Sequence, residues 1–368
     1  MIASNRSQLC PLLSLTVACL CFLAGCGGAE TVEGDGSVGD SVPDTVVDEC
    51  KAQSEASLDG LPLDLACTGL FADGGSDKTA DGVYAFAPAF PLWSDNAGKK
   101  RWIKLPAGQK IDSSDQSRWR FPLGTKFWKQ FDANGARVET RIFQKVRADR
   151  WVSTTYIWDA EGKHAMREDL GRELVRNGVN YRVPAKSLCD DCHEGHPDNV
   201  LGFEAVSLGM PGADQNGLTL QKLVAQNLLT NPPARTQLAI GDDGTGKAAD
   251  VLGWLHINCG VSCHNDGVNS DAEKTGLRMK LDPTMLDGRA SNTFPTFRLL
   301  INTPAVTMQW NKQMRVVPGM PDRSLLYKLI TTRTAMDSTD QMPPLATRKA
   351  DDKNVAKVRE WILALPRK

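Results

Sequence analysis

Four of the ten cysteines stand in two tight pairs, each followed at once by a histidine: Cys189-Asp190-Asp191-Cys192-His193 and Cys259-Gly260-Val261-Ser262-Cys263-His264. No other feature restricts the fold as strongly. Each pair has to lie on one short turn with its imidazole alongside, and the rest of the chain has to wrap whatever that turn holds. The remaining cysteines sort themselves by position. Cys10, Cys19 and Cys21 belong to an apolar run, Leu9 to Ala24, that follows Arg6 and ends in Leu23-Ala24-Gly25-Cys26. A basic start, an apolar stretch and small residues at a cut describe an export signal, expected over 1–25. An exported chain enters an oxidising space, where Cys50 and Cys67, with no histidine beside them, are expected to join as a disulfide.

The paired thiols have a chemical reading. Two cysteines a few residues apart on a helical turn can add to the two vinyl groups on one edge of haem, and a histidine directly after the second places its imidazole beneath the iron. Cys189, Cys192 and His193 have the regular two-residue spacer. Cys259, Cys263 and His264 carry one residue more, which widens the loop. Zinc is the plainer alternative: thiolates from 189, 192, 259 and 263, or Cys189 and Cys192 with His196 and one further ligand, would close a tetrahedral site. Zinc leaves the placement of His193 and His264 unexplained. A thioredoxin-like redox pair is a third reading, without the βαβ pattern that such a pair needs.

A chain of 368 residues with 41% hydrophobic content has room for more than one folded unit. Gly27 to Glu49 holds seven acids, no Lys or Arg and almost no large apolar side chain, so 26–60 is expected to be a flexible acidic tether. Over 50–368 there remain 42 basic and 37 acidic side chains, too even a balance for nucleic acid to be the partner. Six of the nine tryptophans lie between 93 and 158, among alternating runs such as Thr125 to Phe131 and Val138 to Val146. Period-two patterning, with Asn134-Gly135 and Asn177-Gly178 as turn signals, predicts an antiparallel β-rich domain over 61–187. The tryptophans could form a glycan platform, although Trp at alternating strand positions is more often core.

Helical spacing takes over from 188. Leu220, Leu223, Val224 and Leu228 precede Asn231-Pro232-Pro233, so 188–248 is read as the first Cys-His motif with a helical connector. Ala249 to Asn258, Asp322 to Ile330 and a last stretch with Val355, Val358, Trp361 and Ile362 predict helices over 249–368. Between the last two lies Gln341-Met342-Pro343-Pro344, where two prolines hold an extended loop suited to presenting the Met342 thioether to a haem iron. Met314, Met320 and Met336 are its competitors.

Cys259, Cys263, His264, the Pro318-Gly319 turn, Met342-Pro343-Pro344 and the last helix together resemble the c-type cytochrome superfamily over about 120 residues. Pro91-Leu92-Trp93-Ser94-Asp95 and Phe121-Pro122-Leu123-Gly124-Thr125, taken with Cys189 to His193, are similar to a group of bacterial exported haem proteins. Leu23-Ala24-Gly25-Cys26 resembles the bacterial lipoprotein box, which implies lipid on Cys26. The resemblance implies an α+β multidomain fold, an antiparallel β-rich N-terminal domain followed by an α-helical cytochrome c-like C-terminal domain. It also implies haem c at both motifs, with His193, His264 and Met342 as iron ligands.

The expected protein is therefore a c-type cytochrome, lipid-anchored in the bacterial periplasm or at the cell surface, that passes electrons between redox protein partners without bond-making catalysis. Two rivals belong to other classes. A two-haem peroxidase or electron-accepting dehydrogenase subunit would need an open or displaceable sixth site on one iron; in the carrier reading, Met210, His164 and His256 are the candidates to complete the coordination of the first haem. A glycan-binding lipoprotein would hold zinc instead.

Overall fold

Alternating sequence becomes sheet where turns return the chain on itself. The computed structural model describes residues 44–367, apart from 73–76, 194–197, 199, 268–269, 271 and 335–337. The export signal, Cys26, His196 and Met336 lie outside the described residues. Six strands form one antiparallel sheet in the order of the chain: β1 (Val83–Ala85), β2 (Gly98–Lys104), β3 (Lys126–Ala133), β4 (Ala136–Arg147), β5 (Arg150–Trp158) and β6 (Ala165–Glu168). Asn134 and Gly135 turn β3 into β4 with φ of 44° and 80°, the left-handed values a two-residue hairpin needs and that Asn and Gly tolerate best. Asn177 and Gly178, at 45° and 75°, do the same for a separate hairpin of β7 (Arg172–Arg176) and β8 (Val179–Val183).

Register divides the sheet into two working faces. Trp102, Trp128, Ile142 and Thr154 stand opposite one another across β2 to β5, and with Trp158 and Tyr156 they close over Leu61, Leu65, Leu70 and Phe71. On the other face Ile103, Phe127 and Phe143 form one row. Part of this face joins the main core, which runs from Phe86 and Phe203 through Trp254 and Leu255 to Trp361 and Ile362. Trp102, Trp119, Trp128 and Trp158 are all buried, so these rings build core rather than a glycan platform. The described part of the expected 26–60 tether is helical where it forms α1 (Asp44–Ala56), whose Gln53 accepts the backbone N–H groups of Leu63 and Asp64. Cys50 on α1 is bonded to Cys67, with a Cα–Cα distance of 5.0 Å.

The α-helical cytochrome c-like C-terminal domain that the resemblance implied is not what forms. Among the described residues of the second half, helices are mostly short. They are α2 (Asp190–His193), α3 (Ala205–Gly209), α4 (Leu220–Ala225), α5 (Ala248–Leu255), α6 (Pro295–Leu300), α7 (Leu325–Thr331) and α8 (Asp352–Ala364). Between them run single turns, extended loops and a two-stranded parallel pair, β9 (Ala239–Gly241) with β10 (Asp287–Ala290). Among the described residues the dominant regular element is the antiparallel sheet. Prolines explain much of the difference: Pro283, Pro304, Pro318, Pro321 and Pro343-Pro344 punctuate 256–350, and each lacks a backbone donor that a helix interior would require. Residues 42–368 cluster as one compact unit, and the apolar spacing that reads as a helical domain instead feeds the core shared with the sheet. The final helix keeps its predicted face, with Val355, Val358, Trp361 and Ile362 buried. Among the described residues no helix is long and apolar enough to cross a membrane.

Candidate functional site

Both Cys-His motifs are tight turns closed by the same hydrogen bond. In the first, the His193 N–H donates to the Cys189 carbonyl at 3.2 Å, as in an ordinary α-turn, and Cys192 N–H shares that carbonyl at 3.3 Å. In the second, α5 passes into a π-helical turn, His256–Gly260. There the Cys259 carbonyl accepts from Cys263 N–H at 3.3 Å and from His264 N–H at 2.7 Å. The extra residue of the longer spacer is thus absorbed by a π-turn, which restores the histidine-to-first-cysteine bond. Asn265 secures the turn from inside, its Nδ2 donating to the carbonyls of Gly260, Val261 and Ser262. The segment 279–280 lies hard against it: a Cβ on Gly260 would stand 2.4 Å from the Lys280 nitrogen.

The sequence segments singled out beside the motifs prove to be their fastenings. Trp93 N–H donates to Asn258 Oδ1 at 2.7 Å, just ahead of Cys259, while Trp93 Nε1 donates to the Lys349 carbonyl. The Asp95 carboxylate accepts the backbone N–H groups of Arg348 and Lys349. On the other side, Phe121 N–H, Lys145 Nζ and Trp151 Nε1 all converge on Asp198, five residues after His193. Lys186, just before the first motif, pairs with Asp59, which Arg167 also holds. The first turn is therefore tied to the sheet side at both ends. Its His193 ring packs on Phe143 at 4.6 Å between centroids, and Phe143 stacks on Trp151 at 4.5 Å.

Cys189, Cys192 and His193 line a cavity of about 480 Å³, within the range of small-molecule and cofactor sites. Its walls are the second face of the sheet, the β7–β8 hairpin, the 92–97 loop and residues 345–349. The two motifs adjoin, because Cys263 is near enough for its charge to act on Cys192. Burial, followed by Cys263 as the next cause, pushes the Cys192 thiol up to about 12, and burial likewise pushes Cys259 up to about 12. A catalytic redox pair needs the opposite shift. Among the described residues no three His, Cys, Asp or Glu side chains converge as a metal-ion site.

The chain matches no family model, and comparison with curated proteins and with solved structures finds no match.

The other candidate side chains divide clearly. His264 is buried, and burial lowers its pKa to about 4 against the opposing hydrogen bond to the Leu277 backbone; its Nδ1 is also 3.5 Å from Thr275 Oγ1. That arrangement keeps the imidazole neutral, the form a metal ligand needs, with one ring nitrogen already engaged. His256 is committed to the core: its Nε2 lies 3.3 Å from Glu204 Oε1 and its Nδ1 accepts Leu281 N–H at 2.9 Å. Met210 is buried in the main core, and His164 sits in the turn between β5 and β6. Met342 is half-buried, its N–H bonded to the Leu329 carbonyl, and it packs on the cluster of Ala305, Leu325 and Leu329 and on the main core that also takes Cys259. Met314 and Met320 are exposed.

What sequence reading missed is a row of cations. Arg101 on β2, Lys129 on β3 and Arg141 on β4 stand directly opposite one another across three strands, and all three line the cavity. The signal lay in the alternation: within the runs Lys99 to Ile103, Phe127 to Phe131 and Glu139 to Phe143, a basic residue takes the position whose parity should be apolar.

Proposed function

We propose that the protein is an exported, lipid-anchored carrier of single electrons, with one haem covalently bound at Cys189, Cys192 and His193 and another at Cys259, Cys263 and His264. The observation that carries the reading is the pair of adjoining Cys-His turns, closed by one and the same hydrogen bond despite unequal spacers, the first opening into a cavity walled by Phe127, Phe131, Phe143 and cations. That environment suits a flat apolar group with acidic substituents. Haem, when bound, supplies a one-electron couple at iron whose potential follows its ligands and surroundings. The chain's own contribution is to hold thiols and imidazole on one rigid turn, to shield the group with the sheet face and to keep His264 neutral.

Met342 is the residue proposed to serve the second site as a thioether ligand, since its double-proline loop packs into the same core as Cys259. Cys26 is the proposed lipid-bearing residue, and redox proteins in the same compartment are the proposed partners. An absorption spectrum of the purified protein, with the haem-to-chain ratio from mass spectrometry, tests the reading. Two covalent haems are expected, one lost in Cys189→Ala/Cys192→Ala. A colourless protein with four unmodified thiols refutes it.

A further inference from the structure

A buried charge needs a counter-charge, and the cavity beside the first motif has too few. Its described lining includes six basic side chains, of which Arg182, Arg348 and Lys349 are exposed, Arg348 pairing with Glu173, while Arg101, Lys129 and Arg141 lie deeper; two acidic ones, Asp95 and Asp191, join them. Asp95 already accepts backbone N–H groups from Arg348 and Lys349. Just outside the lining, Glu139 is fully buried and takes Arg141 through two hydrogen bonds, Nε to Oε2 at 3.0 Å and Nη2 to Oε1 at 2.5 Å. Tyr181 donates to Oε1 of that same carboxylate at 2.7 Å. One carboxylate thus serves Arg141, while Lys129 and Arg101 stand beside it in register.

Arg101 is the decisive member. It is 6% exposed, and its Nη2 is buried without a hydrogen-bond partner. Such an orphan destabilises the fold, more so when charged, unless a ligand satisfies it. The neighbours aggravate the excess: Lys99 lies two residues along β2, and burial with the nearby Arg101, Arg141 and Lys99 charges drives the Lys129 ammonium well below its usual range. Burial lowers Arg101 as well, to about 10.

The cation row also has a defined place relative to the thiols. Ile103, Phe127 and Phe143 form the next row on the same face, two residues along each strand, or about 7 Å. Phe143 is the ring against which His193 packs. The charges of Lys129 and Arg141 reach Cys192. An apolar row beside the attachment turn, followed by a cationic row, is complementary to a plate bearing vinyl groups at one edge and carboxylates at the other.

We propose that Arg101, Lys129 and Arg141 receive the two carboxylates of the haem attached at Cys189 and Cys192, so that the β-sheet, not a helical shell, sets the charge around that iron. This rests on the covalent-haem reading above. Arg101 supplies the open guanidinium fork, a geometry that matches a carboxylate, and Lys129 supplies a point charge beside it.

The test is a spectroelectrochemical titration of the full-length haem-loaded protein, with the attached haem counted by mass on the peptide containing Cys189 and Cys192. Removing a positive charge favours the oxidised iron. Arg101→Gln is therefore expected to keep its haem and to shift that haem's oxidised-to-reduced ratio about tenfold toward oxidised, about 59 mV for one electron. Arg101→Lys should recover most of the shift, and Lys129→Met should move it in the same direction, which keeps the proposal testable if one variant fails to fold. An unchanged potential in every loaded variant refutes the carboxylate receptor while leaving covalent haem intact. Absence of haem from that peptide in the unaltered protein refutes the underlying reading instead. A third arm adds succinate to the unaltered protein. No response is expected; a shift that Arg101→Gln abolishes means the row serves a free dicarboxylate and overturns the assignment.

Discussion

Replacing Asp198 with alanine should be among the most costly single changes outside the Cys-His turns. Its side chain is 2% exposed and receives three donors: Phe121 N–H at 2.8 Å, Lys145 Nζ at 2.6 Å and Trp151 Nε1 at 2.6 Å. Lys145 is itself 6% exposed, and after the substitution it would keep only the Phe121 carbonyl at 2.8 Å. Breaking a buried pair from one side strands the remaining charge, at about 3–5 kcal/mol. With an unfolding entropy of roughly 2.1 cal/mol/K per residue over the 42–368 unit, that corresponds to a fall in Tm of about 4–7 °C. Thermal melting followed by circular dichroism measures the loss. Lys145→Met/Asp198→Ala should be more stable than Asp198→Ala alone, because the second change removes the stranded ammonium. A loss below about 1 kcal/mol, or a double variant no better than the single one, would show that Asp198 is not the keystone described.

Gly260→Ala should disrupt the second motif selectively, since its Cβ would meet the Lys280 nitrogen at 2.4 Å; peptide mass mapping should show attachment lost at Cys259 and Cys263 and kept at Cys189 and Cys192. Glu204 gives an acid signature: burial alone would raise its pKa, but His256 and the hydrogen bonds from Ser207 hold it at about 2 against the usual 4.5. The stability this contributes, about 3 kcal/mol, is complete above pH 4.5 and is lost as pH falls toward 2. Denaturant unfolding between those limits should be visibly flatter with pH in Glu204→Gln, and an unchanged slope would refute the assignment. Opening the Cys50–Cys67 link, which closes a loop at a sequence separation of 17, should cost about 3 kcal/mol, read from the melting of Cys50→Ser/Cys67→Ser.

Local signals in the sequence carried much of the fold. The runs at 125–131 and 138–146 lie within β3 and β4 apart from Thr125, Asn134-Gly135 and Asn177-Gly178 make the hairpins, and α8 buries the face that its spacing indicates. Periodicity failed where it was asked for tertiary arrangement. Leu325, Leu326, Leu329 and Ile330 have helical spacing, and α7 forms, yet helical spacing in one segment says nothing about how long its neighbours are or what they pack on. The cavity was illegible for the same reason. Arg101, Lys129 and Arg141 come from three strands, and only register brings them together. Asp198 likewise has no local sequence signature, because its three partners lie 47 to 77 residues away.

The hairpin at Asn134-Gly135 therefore governs chemistry it does not touch. Side chains alternate along β3 and β4, so inserting or deleting a single residue at that tip would turn Lys129 or Arg141 through the sheet and send Trp128 or Ile142 into the cavity in its place. One indel at a solvent-facing turn would replace a charged side chain of the cavity wall with an apolar one without any substitution in the strands themselves. Length variation that loops elsewhere in the chain can absorb is closed to this one, and point substitutions remain the route by which the cavity's charge can be retuned.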